Sequence, residues 1–438
     1  MLILAEWMIT SAAVAPHHNW GVRVVDSHID AVGSHRELKH QYPDDEVVNA
    51  PSKVIMPGFV NAHVHLYGVL AHGIPVANPP DGFWAFLNDY WWPKVEDVLD
   101  HHMIEAAADW ACVEMLGSGI TTFYDILEAP NAVTDSLAVE AEVVGQRGMR
   151  SVLSFEATER AGPQIAAASL AENVRHIKAS RADPDGLVSG LMCYHTTFTC
   201  SAEYITTAVG LATDHEVMYH AHCNEGVHEP QWCVENTGVR TIEYYERLGV
   251  TSPQFLASQC VQLSDGEQDI IAQSGMRVTH MPLANCEVGG GIAPIPELLG
   301  RGVTVGLGSD GYINDFFEVM RGAFLVHKAR LLDPGTMPAS TVVHLATEGG
   351  ANAIGLHNVG RLEPGWKADI QLIDAEFATP VTEHNLYEQL VLWRNHTHVT
   401  DVMVNGTWRM RKGEVLGTDK AQMRQRLHRQ AKRLWASA

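Results

Sequence analysis

The chain has 438 residues, of which 46% are hydrophobic and 19% charged, and its formal net charge is −22. This composition is typical of a globular protein, and the acidic balance argues against a nucleic-acid partner, which would need a basic surface. No apolar run reaches the ~18 residues of a membrane helix, so we expect no membrane partner. Seven cysteines without a CxxC spacing indicate reduced thiols and a cytoplasmic location.

In chain order, the first predicted elements are short β-type runs within residues 1–56, such as LILAEWMIT and GVRVVDSHIDAVG. Similar runs return in residues 366–420, where Asn405-Gly406 is a hairpin turn signal. Because these two β-rich ends enclose a long middle, we expect them to form one small composite β-sandwich. Residues 421–438 have a basic amphipathic pattern, which predicts a helix that caps the domain, with membrane or partner binding as the alternative.

The middle of the chain, residues 57–365, alternates between short β-rich runs and helical segments. Eight strands alternating with helices are typical of an α/β fold, here a distorted (β/α)₈ barrel. The predicted strands lie at 54–62, 120–125, 150–156, 188–194, 217–222, 255–260, 277–281 and 303–308.

Polar side chains stand at the end of every predicted barrel strand. In such barrels the functional side chains lie at the C-terminal ends of the strands, and several of these residue types can bind a metal. In chain order they are His63 and His65, Asp125, Glu156, His195, His222, Gln259, His280 and Asp310.

Two histidine pairs with a spacing of two residues occur at these strand ends. They are His63 with His65 in PGFVNAHVHL, and His220 with His222 in MYHAHCNEG. Side chains two apart on a strand face the same side, so each pair could supply half of a metal site. With 24 histidines in the chain, chance pairs are an equal alternative. Glu225 follows His222 by three residues and could act as acid or base beside a metal.

A third motif, VTVGLGSDG, ends an apolar run with Asp310. The carboxylate of Asp310 could be an oxygen ligand, and the neighbouring glycines would let backbone and substrate approach closely. An ordinary turn aspartate is the alternative.

Together, the three motifs resemble those of the amidohydrolase superfamily, with HxH after strand 1, HxxE after strand 5 and Asp after strand 8. The chain is most similar to the cytosine, guanine and S-adenosylhomocysteine deaminases, the triazine hydrolases and above all the SsnA-type aminohydrolases, whose likeness extends to FEATER and GLGSDGYINDFFEVM. The resemblance implies one divalent metal, commonly zinc, with iron or cobalt as alternatives. Its ligands would be His63, His65, His222 and Asp310.

The same resemblance implies a hydrolase that deaminates a small N-heterocycle of the purine, pyrimidine, pterin or triazine type through a metal-bound hydroxide. Asp310 would take the proton of the water, and Glu225 would protonate a ring nitrogen of the substrate. His195 and His280 would line the pocket. A homo-oligomer, dimer or larger, is also implied.

One position departs from the family pattern. The strand-6 segment of relatives reads AHCVHLS and here reads SQCVQLS, so Gln259 replaces a catalytic histidine. A glutamine amide hydrogen-bonds but does not titrate, so Gln259 could position a water without carrying its proton. Three hypotheses stay open. The chain could be a deaminase that relies on Asp310 and Glu225, an enzyme that displaces another leaving group or cleaves an amide-like C–N bond, or a metal- or ligand-binding protein with weak catalysis.

The segment FWAFLNDYWW, residues 83–92, places six aromatic side chains in the connection after the first barrel strand. We expect some of them to stack on a planar heterocycle or to close the pocket, with Trp84 and Trp91 as candidates. Plain packing of a lid or a dimer surface is the alternative.

Overall fold

Strands from both ends of the chain form one mixed sheet of eight strands in the computed structural model, which describes residues 1–437. The order of the strands is β17-β16-β15-β14-β4-β1-β2-β3, and the antiparallel pair β4–β14 joins the two ends of the chain. The eight strands are β1 (Leu2–Met8), β2 (His17–Val25), β3 (His28–Ser34), β4 (Val47–Pro57), β14 (Ile370–Asp374), β15 (Val399–Val404), β16 (Thr407–Arg411) and β17 (Glu414–Val415).

The turn between β15 and β16 is the predicted two-residue hairpin. Asn405 and Gly406 have φ values of 51° and 76°, and Val404 pairs with Thr407 across the turn. Positive φ at both central residues is the geometry of a type I′ turn, which suits asparagine followed by glycine. The hairpin prediction is therefore confirmed.

The middle of the chain forms the predicted barrel as two arcs of parallel strands. Isolated bridges between Val64 and Asp310 and between Ala157 and Tyr194 join the arcs. The predicted strand 188–194 is interrupted at Leu191, which gives the two short strands β8 (Val188–Gly190) and β9 (Met192–Cys193). This closure confirms a distorted (β/α)₈ barrel beside a sheet domain, while the exact domain boundaries stay predictions. The arcs are β5 (Phe59–Val64), β6 (Ile120–Leu127), β7 (Arg150–Phe155) and β8 (Val188–Gly190), then β9 (Met192–Cys193), β10 (Tyr219–Cys223), β11 (Phe255–Gln259), β12 (Arg277–His280) and β13 (Val305–Leu307).

Helices follow the barrel strands and cover them. None of the helices among residues 1–437 is both long enough and apolar enough to cross a bilayer. The helices are α1 (His35–Gln41), α2 (Gly82–Ala85), α3 (Trp92–Lys94), α4 (His101–Gly117), α5 (Ser136–Arg147), α6 (Pro163–Arg181), α7 (Ala202–Asp214), α8 (His228–Thr237), α9 (Thr241–Arg247), α10 (Asp265–Ser274), α11 (Pro282–Glu287), α12 (Ile295–Gly300), α13 (Phe316–Leu331), α14 (Ala339–Leu345), α15 (Glu348–Ala353), α16 (Leu386–Trp393) and α17 (Lys420–Ser437). Shorter helical segments are the 3₁₀ turns Leu66–Leu70, Glu96–Val98 and His396–His398 and the π-type turn Phe86–Trp91.

The C-terminal helix α17 forms as predicted and packs on the barrel. The indole N–H of Trp435 donates to the carbonyl of Leu70 at 2.8 Å, just beyond the HxH motif. Arg426 forms ion pairs with Glu105 and Asp109 on α4. The basic residue Arg426 of α17 therefore pairs with acidic residues of α4, a helix of the barrel.

A buried pair of carboxyl groups, Asp125 and Glu140, lies between β6 and α5. Burial raises the pKa of Asp125 to about 6, and burial together with Asp125 raises the pKa of Glu140 well above its usual range. Groups with a raised pKa stabilise the folded state below their unfolded pKa of about 4, and this stabilisation is lost as the pH rises through the folded pKa.

We expect Glu140→Gln to raise the unfolding midpoint by a few degrees at about pH 8 and to change it less at about pH 5. A neutral amide removes the need to bury a charge next to Asp125. Thermal unfolding at the two pH values measures the effect, and an equal gain at both would show that charge burial is not its cause.

Candidate active site

A cavity of about 1280 Å³ opens at the C-terminal ends of the barrel strands. The predicted site residues among its lining side chains are His65, Trp91, His195, His222, Glu225, Gln259 and Asp310. The barrel strands thus bring together side chains that are far apart in the sequence, as the strand-end rule predicts.

His63, His65 and His222 form a buried cluster. One ring nitrogen from each lies within 4.8 Å of the others. His65 donates from Nδ1 to the carbonyl of Ile126 at 2.6 Å, and its Nε2 lies 3.4 Å from Asp310 Oδ1. A hydrogen bond at Nδ1 orients the ring so that Nε2 is the nitrogen available to a metal.

His63 gives the clearest indication that this cluster suits a metal. Its side chain is fully buried, yet neither ring nitrogen has a hydrogen-bond partner among the described residues. Burial also lowers the pKa of His63 well below its usual value, so the ring is neutral. A buried imidazole without a partner is costly unless it binds something, and three nitrogens with a carboxylate are ligands that zinc accepts.

His220, the alternative to His222, faces the barrel interior. Its Nδ1 lies 3.2 Å from Cys193 Sγ, and its ring packs against Tyr124. Neither of the two potential metal-binding groups among the described residues includes His220. The preference for His222, which rested on its spacing from Glu225, is therefore supported by position.

Glu156 is a residue of the cavity wall to which the sequence assigned no role. Its Oε1 lies 2.7 Å from His222 Nδ1 and 3.9 Å from His195 Nε2, and the side chain is buried in the cavity wall. A carboxylate at this position orients a histidine ligand and keeps its other ring nitrogen free for a metal. The sequence marks Glu156 as a strand-end residue, but no spacing pattern connects it with His222.

Glu225 lies just after β10, between His222 and α8. Burial and the nearby Asp310 raise its pKa to about 8. Its backbone carbonyl packs against Gly290, where an added Cβ would come within 2.5 Å of the oxygen. Glu225 is consequently a carboxylic acid at neutral pH, which suits a proton donor.

Gln259 ends β11 and donates from Nε2 to Asp310 Oδ2 at 2.6 Å. Asp310 also accepts at Oδ1 from the backbone N–H of Gly311 at 2.8 Å. Gln259, Cys260 and Asp310 all have positive φ, so the chain turns sharply at both strand ends to aim these side chains into the cavity.

Two of the predicted substrate contacts, His280 and Trp84, lie outside the cavity lining. His280 is fully buried, lies 3.0 Å from His327 through the two Nε2 atoms, and is not part of the cavity lining. Trp84 also lies outside the cavity lining and stacks on His228, with ring centroids 4.1 Å apart. Each side chain packs against a histidine of a helix that is distant in the sequence, His327 of α13 for His280 and His228 of α8 for Trp84.

His195 and Trp91 do lie in the cavity wall. His195 Nδ1 is 2.9 Å from the hydroxyl of Thr199, and burial lowers the pKa of the ring to about 3. Trp91 ends the π-type turn and packs between Phe86 of the same turn and Tyr67. The neighbouring Trp92 contacts the His195 ring and was missed because the aromatic run gave no reason to choose among its members.

Gly308, the residue directly after β13, allows the chain to lie against His63. A Cβ at Gly308 would lie 2.7 Å from His63 Cβ and 2.8 Å from the His63 carbonyl oxygen. We expect Gly308→Ala to lower zinc affinity by about tenfold or more because it displaces the HxH strand. Chelator competition measures this effect. Gly210→Ala in α7, where the space is open, is the matched control and should leave zinc affinity unchanged.

The family model described as "Amidohydrolase family" matches residues 54–409. The chain belongs to the amidohydrolase family. This membership confirms the family predicted from the three motifs, and the matched range covers the barrel together with β14, β15 and parts of β4 and β16.

Relatives of this amidohydrolase include two deaminases. It is 32% identical over 375 residues to the 5'-deoxyadenosine deaminase of Methanothermobacter thermautotrophicus, with 85% of each chain covered. It is 31% identical over 417 residues to the 5-methylthioadenosine/S-adenosylhomocysteine deaminase of Pelotomaculum thermopropionicum, with 94% of this chain and 93% of the relative covered. The prediction of a hydrolase for C–N bonds other than peptide bonds is confirmed.

Solved structures of the same fold include a zinc-bound adenosine deaminase from Xanthomonas campestris. Its TM-score is 0.91 at 25% identity, with 99% of this amidohydrolase and 98% of that chain covered. The guanine deaminase of E. coli shares the fold at 20% identity, with a TM-score of 0.80 and coverage of 93% and 98%. Together with the histidine cluster, these findings bear out the prediction of one divalent metal, with zinc favoured.

Proposed function

We propose that this protein is a metal-dependent aminohydrolase that removes an amino group from a small N-heterocycle and releases ammonia. The observation that carries the proposal is the buried cluster of His63, His65 and His222 with Asp310 and Glu225 beside it, all at one end of the barrel. The relatives named as deaminases of deoxyadenosine and methylthioadenosine types support a purine-like ring as the substrate.

In this proposal, His63, His65, His222 and Asp310 hold one divalent ion, zinc in preference to iron or cobalt. When bound, the ion supplies a Lewis acid that lowers the pKa of water and so makes a nucleophile available at neutral pH. Asp310 accepts a proton from the attacking water. Gln259 does not titrate, and it donates to Asp310 to hold the carboxylate in place.

Glu225 acts as the proton donor to the substrate. With a pKa of about 8 it carries a proton at neutral pH, and it can protonate a ring nitrogen as water adds to the neighbouring carbon. The proton taken up by Asp310 then reaches the amino group, and the C–N bond breaks to release ammonia. The hydroxyl proton of the adduct returns to Glu225 as the ring carbonyl forms, which restores the acid for the next turnover. His195 and Trp91 in the cavity wall bind the ring.

A second candidate is hydrolytic displacement of a leaving group other than ammonia. It is favoured by Gln259, because a leaving group such as a halide or a thiolate needs no proton from the strand-6 position. A chloro- or thiomethyl-substituted triazine tests this alternative through release of chloride or thiol.

The deciding experiment is metal analysis of the purified protein, followed by an ammonia-release screen on purines, pyrimidines, pterins and triazines, with 5'-deoxyadenosine included. We expect about one metal ion per chain and ammonia from at least one ring class. Bound metal without turnover on the whole panel would favour a binding protein.

The cellular setting is also part of the proposal. All seven cysteines are free among the described residues, and six are buried, which fits a reducing compartment such as the cytoplasm. The oligomeric state, expected to be a dimer or larger, stays a prediction.

A further inference from the structure

The side-chain amide of Gln259 has a polar partner on each side. Its Nε2 donates to Asp310 Oδ2 at 2.6 Å, and its Oε1 accepts from Nδ2 of Asn285. Gln259 and Asn285 are both fully buried. Because a carboxylate only accepts hydrogen bonds, the NH₂ of Gln259 must face Asp310 and its carbonyl oxygen must face Asn285. The orientation of both amides follows from the Asp310 carboxylate.

Asn285 is held in place independently of Gln259. It lies in α11, and its backbone carbonyl accepts from the N–H groups of Gly290 at 2.9 Å and Gly291 at 3.3 Å. Gln262, the second glutamine at the end of β11, donates to the carbonyl of Gly290 at 2.6 Å. The backbone of Asn285 is therefore anchored at the end of α11, and its side-chain Nδ2 reaches Gln259.

The plane of the Asp310 carboxylate depends on these contacts. Gly311 anchors Oδ1 and Gln259 anchors Oδ2. By itself, a glutamine amide could turn by half a rotation and point its oxygen at the carboxylate, which would place two acceptors together. With Asn285 present, that turn would also place two NH₂ groups together unless the Asn285 amide turned as well, so two buried side chains rather than one would have to rearrange.

We propose that Asn285 is a positioning residue that locks Gln259 as a hydrogen-bond donor to Asp310. The lock fixes the Asp310 carboxylate relative to the histidine cluster, so Asn285 acts on the metal site without touching it. Its consequence for catalysis rests on the proposed function, whereas its consequence for metal binding does not.

The test is a double-mutant cycle with Asn285→Leu, Gln259→Met and the two combined. Zinc affinity is measured by chelator competition, and kcat and KM are measured on the substrate found in the screen. We expect each single variant to lower zinc affinity and kcat by about tenfold or more, with a smaller change in KM. The double variant should lose no more than the worse single variant, because Asn285 acts through Gln259.

A third variant, Asn285→Asp, guards against loss of folding. It keeps the shape of the side chain but replaces the donor by an acceptor, and we expect it to weaken zinc binding at least as much as Asn285→Leu. Unfolding midpoints of all variants show whether each protein is folded at the assay temperature.

The possible outcomes separate this inference from the proposed function. Unchanged zinc affinity in Asn285→Leu, or additive losses in the double variant, would overturn the inference alone. Zinc binding without turnover on any heterocycle would overturn the proposed function, and the affinity cycle would still decide the inference. A wild-type chain that takes up no zinc would overturn both.

Discussion

Glu225→Gln is expected to bind zinc like the wild type and to lose turnover by about 10²–10⁴-fold. The amide keeps the shape and hydrogen-bonding capacity of the protonated acid, but it cannot release a proton to the substrate ring. The pKa of about 8 means that wild-type Glu225 is already neutral near pH 7, so the exchange removes proton transfer without removing a charge. Metal content and kcat, measured on the same preparation, test this expectation.

Glu235→Gln, on the exposed face of the following helix α8, is the control for the same chemical exchange. It should retain both zinc and kcat. If Glu225→Gln retained full turnover, Glu225 would have no part in the proton path. If it lost the metal instead, Glu225 would be a ligand.

His222→Ala should lower zinc affinity by more than about a hundredfold and remove turnover with it. Substitution of a residue that only hydrogen-bonds to a metal ligand lowers metal affinity by about 10–100-fold, so the loss of a ligand itself should lower it more. His222 supplies one of the three clustered ring nitrogens, and Glu156 Oε1 lies 2.7 Å from its Nδ1. Zinc titration with and without a competing chelator measures the change.

The matched control is His220→Ala, two residues earlier on the same strand. Because His220 is buried in the barrel interior, this variant should lose stability of about 2–4 kcal/mol from the cavity it leaves but should still bind zinc. The opposite result, with zinc lost from His220→Ala and kept by His222→Ala, would exchange the roles of the two histidines.

The sequence predicted the barrel because each of its strands can be recognised from a few neighbouring residues. Each is a short β-rich run followed by a helix, and the two-residue period of the HxH pairs is a property of any strand. The splitting of the fourth barrel strand at Leu191 and the closure of the barrel through the Val64–Asp310 bridge depend on contacts between distant segments. No local pattern encodes such contacts.

The same distinction explains which predicted site residues the structure brings together and which it does not. His63, His65 and His222 belong to spacing motifs, and the structure brings them together. His280 also ends a strand, but its Nε2 contacts His327 on the distant helix α13. Glu156 lies in the segment FEATER, which resembles relatives but assigns the glutamate no role, so its contact with His222 could be seen only in three dimensions.

The pairing of β4 with β14 has a consequence for how the protein is made. Met56 pairs with Gln371 and Ile55 with Leu372, so these paired strands are separated in the sequence by all the residues of the barrel. At about 5–20 residues per second, the ribosome needs roughly 15–60 s to synthesise the partner of β4 after β4 itself. During that interval β4 presents an unpaired, largely apolar edge, which is prone to aggregation. Recombinant yield should therefore respond to chaperones that protect nascent chains, and to slower synthesis at low temperature, more than to changes within the active site.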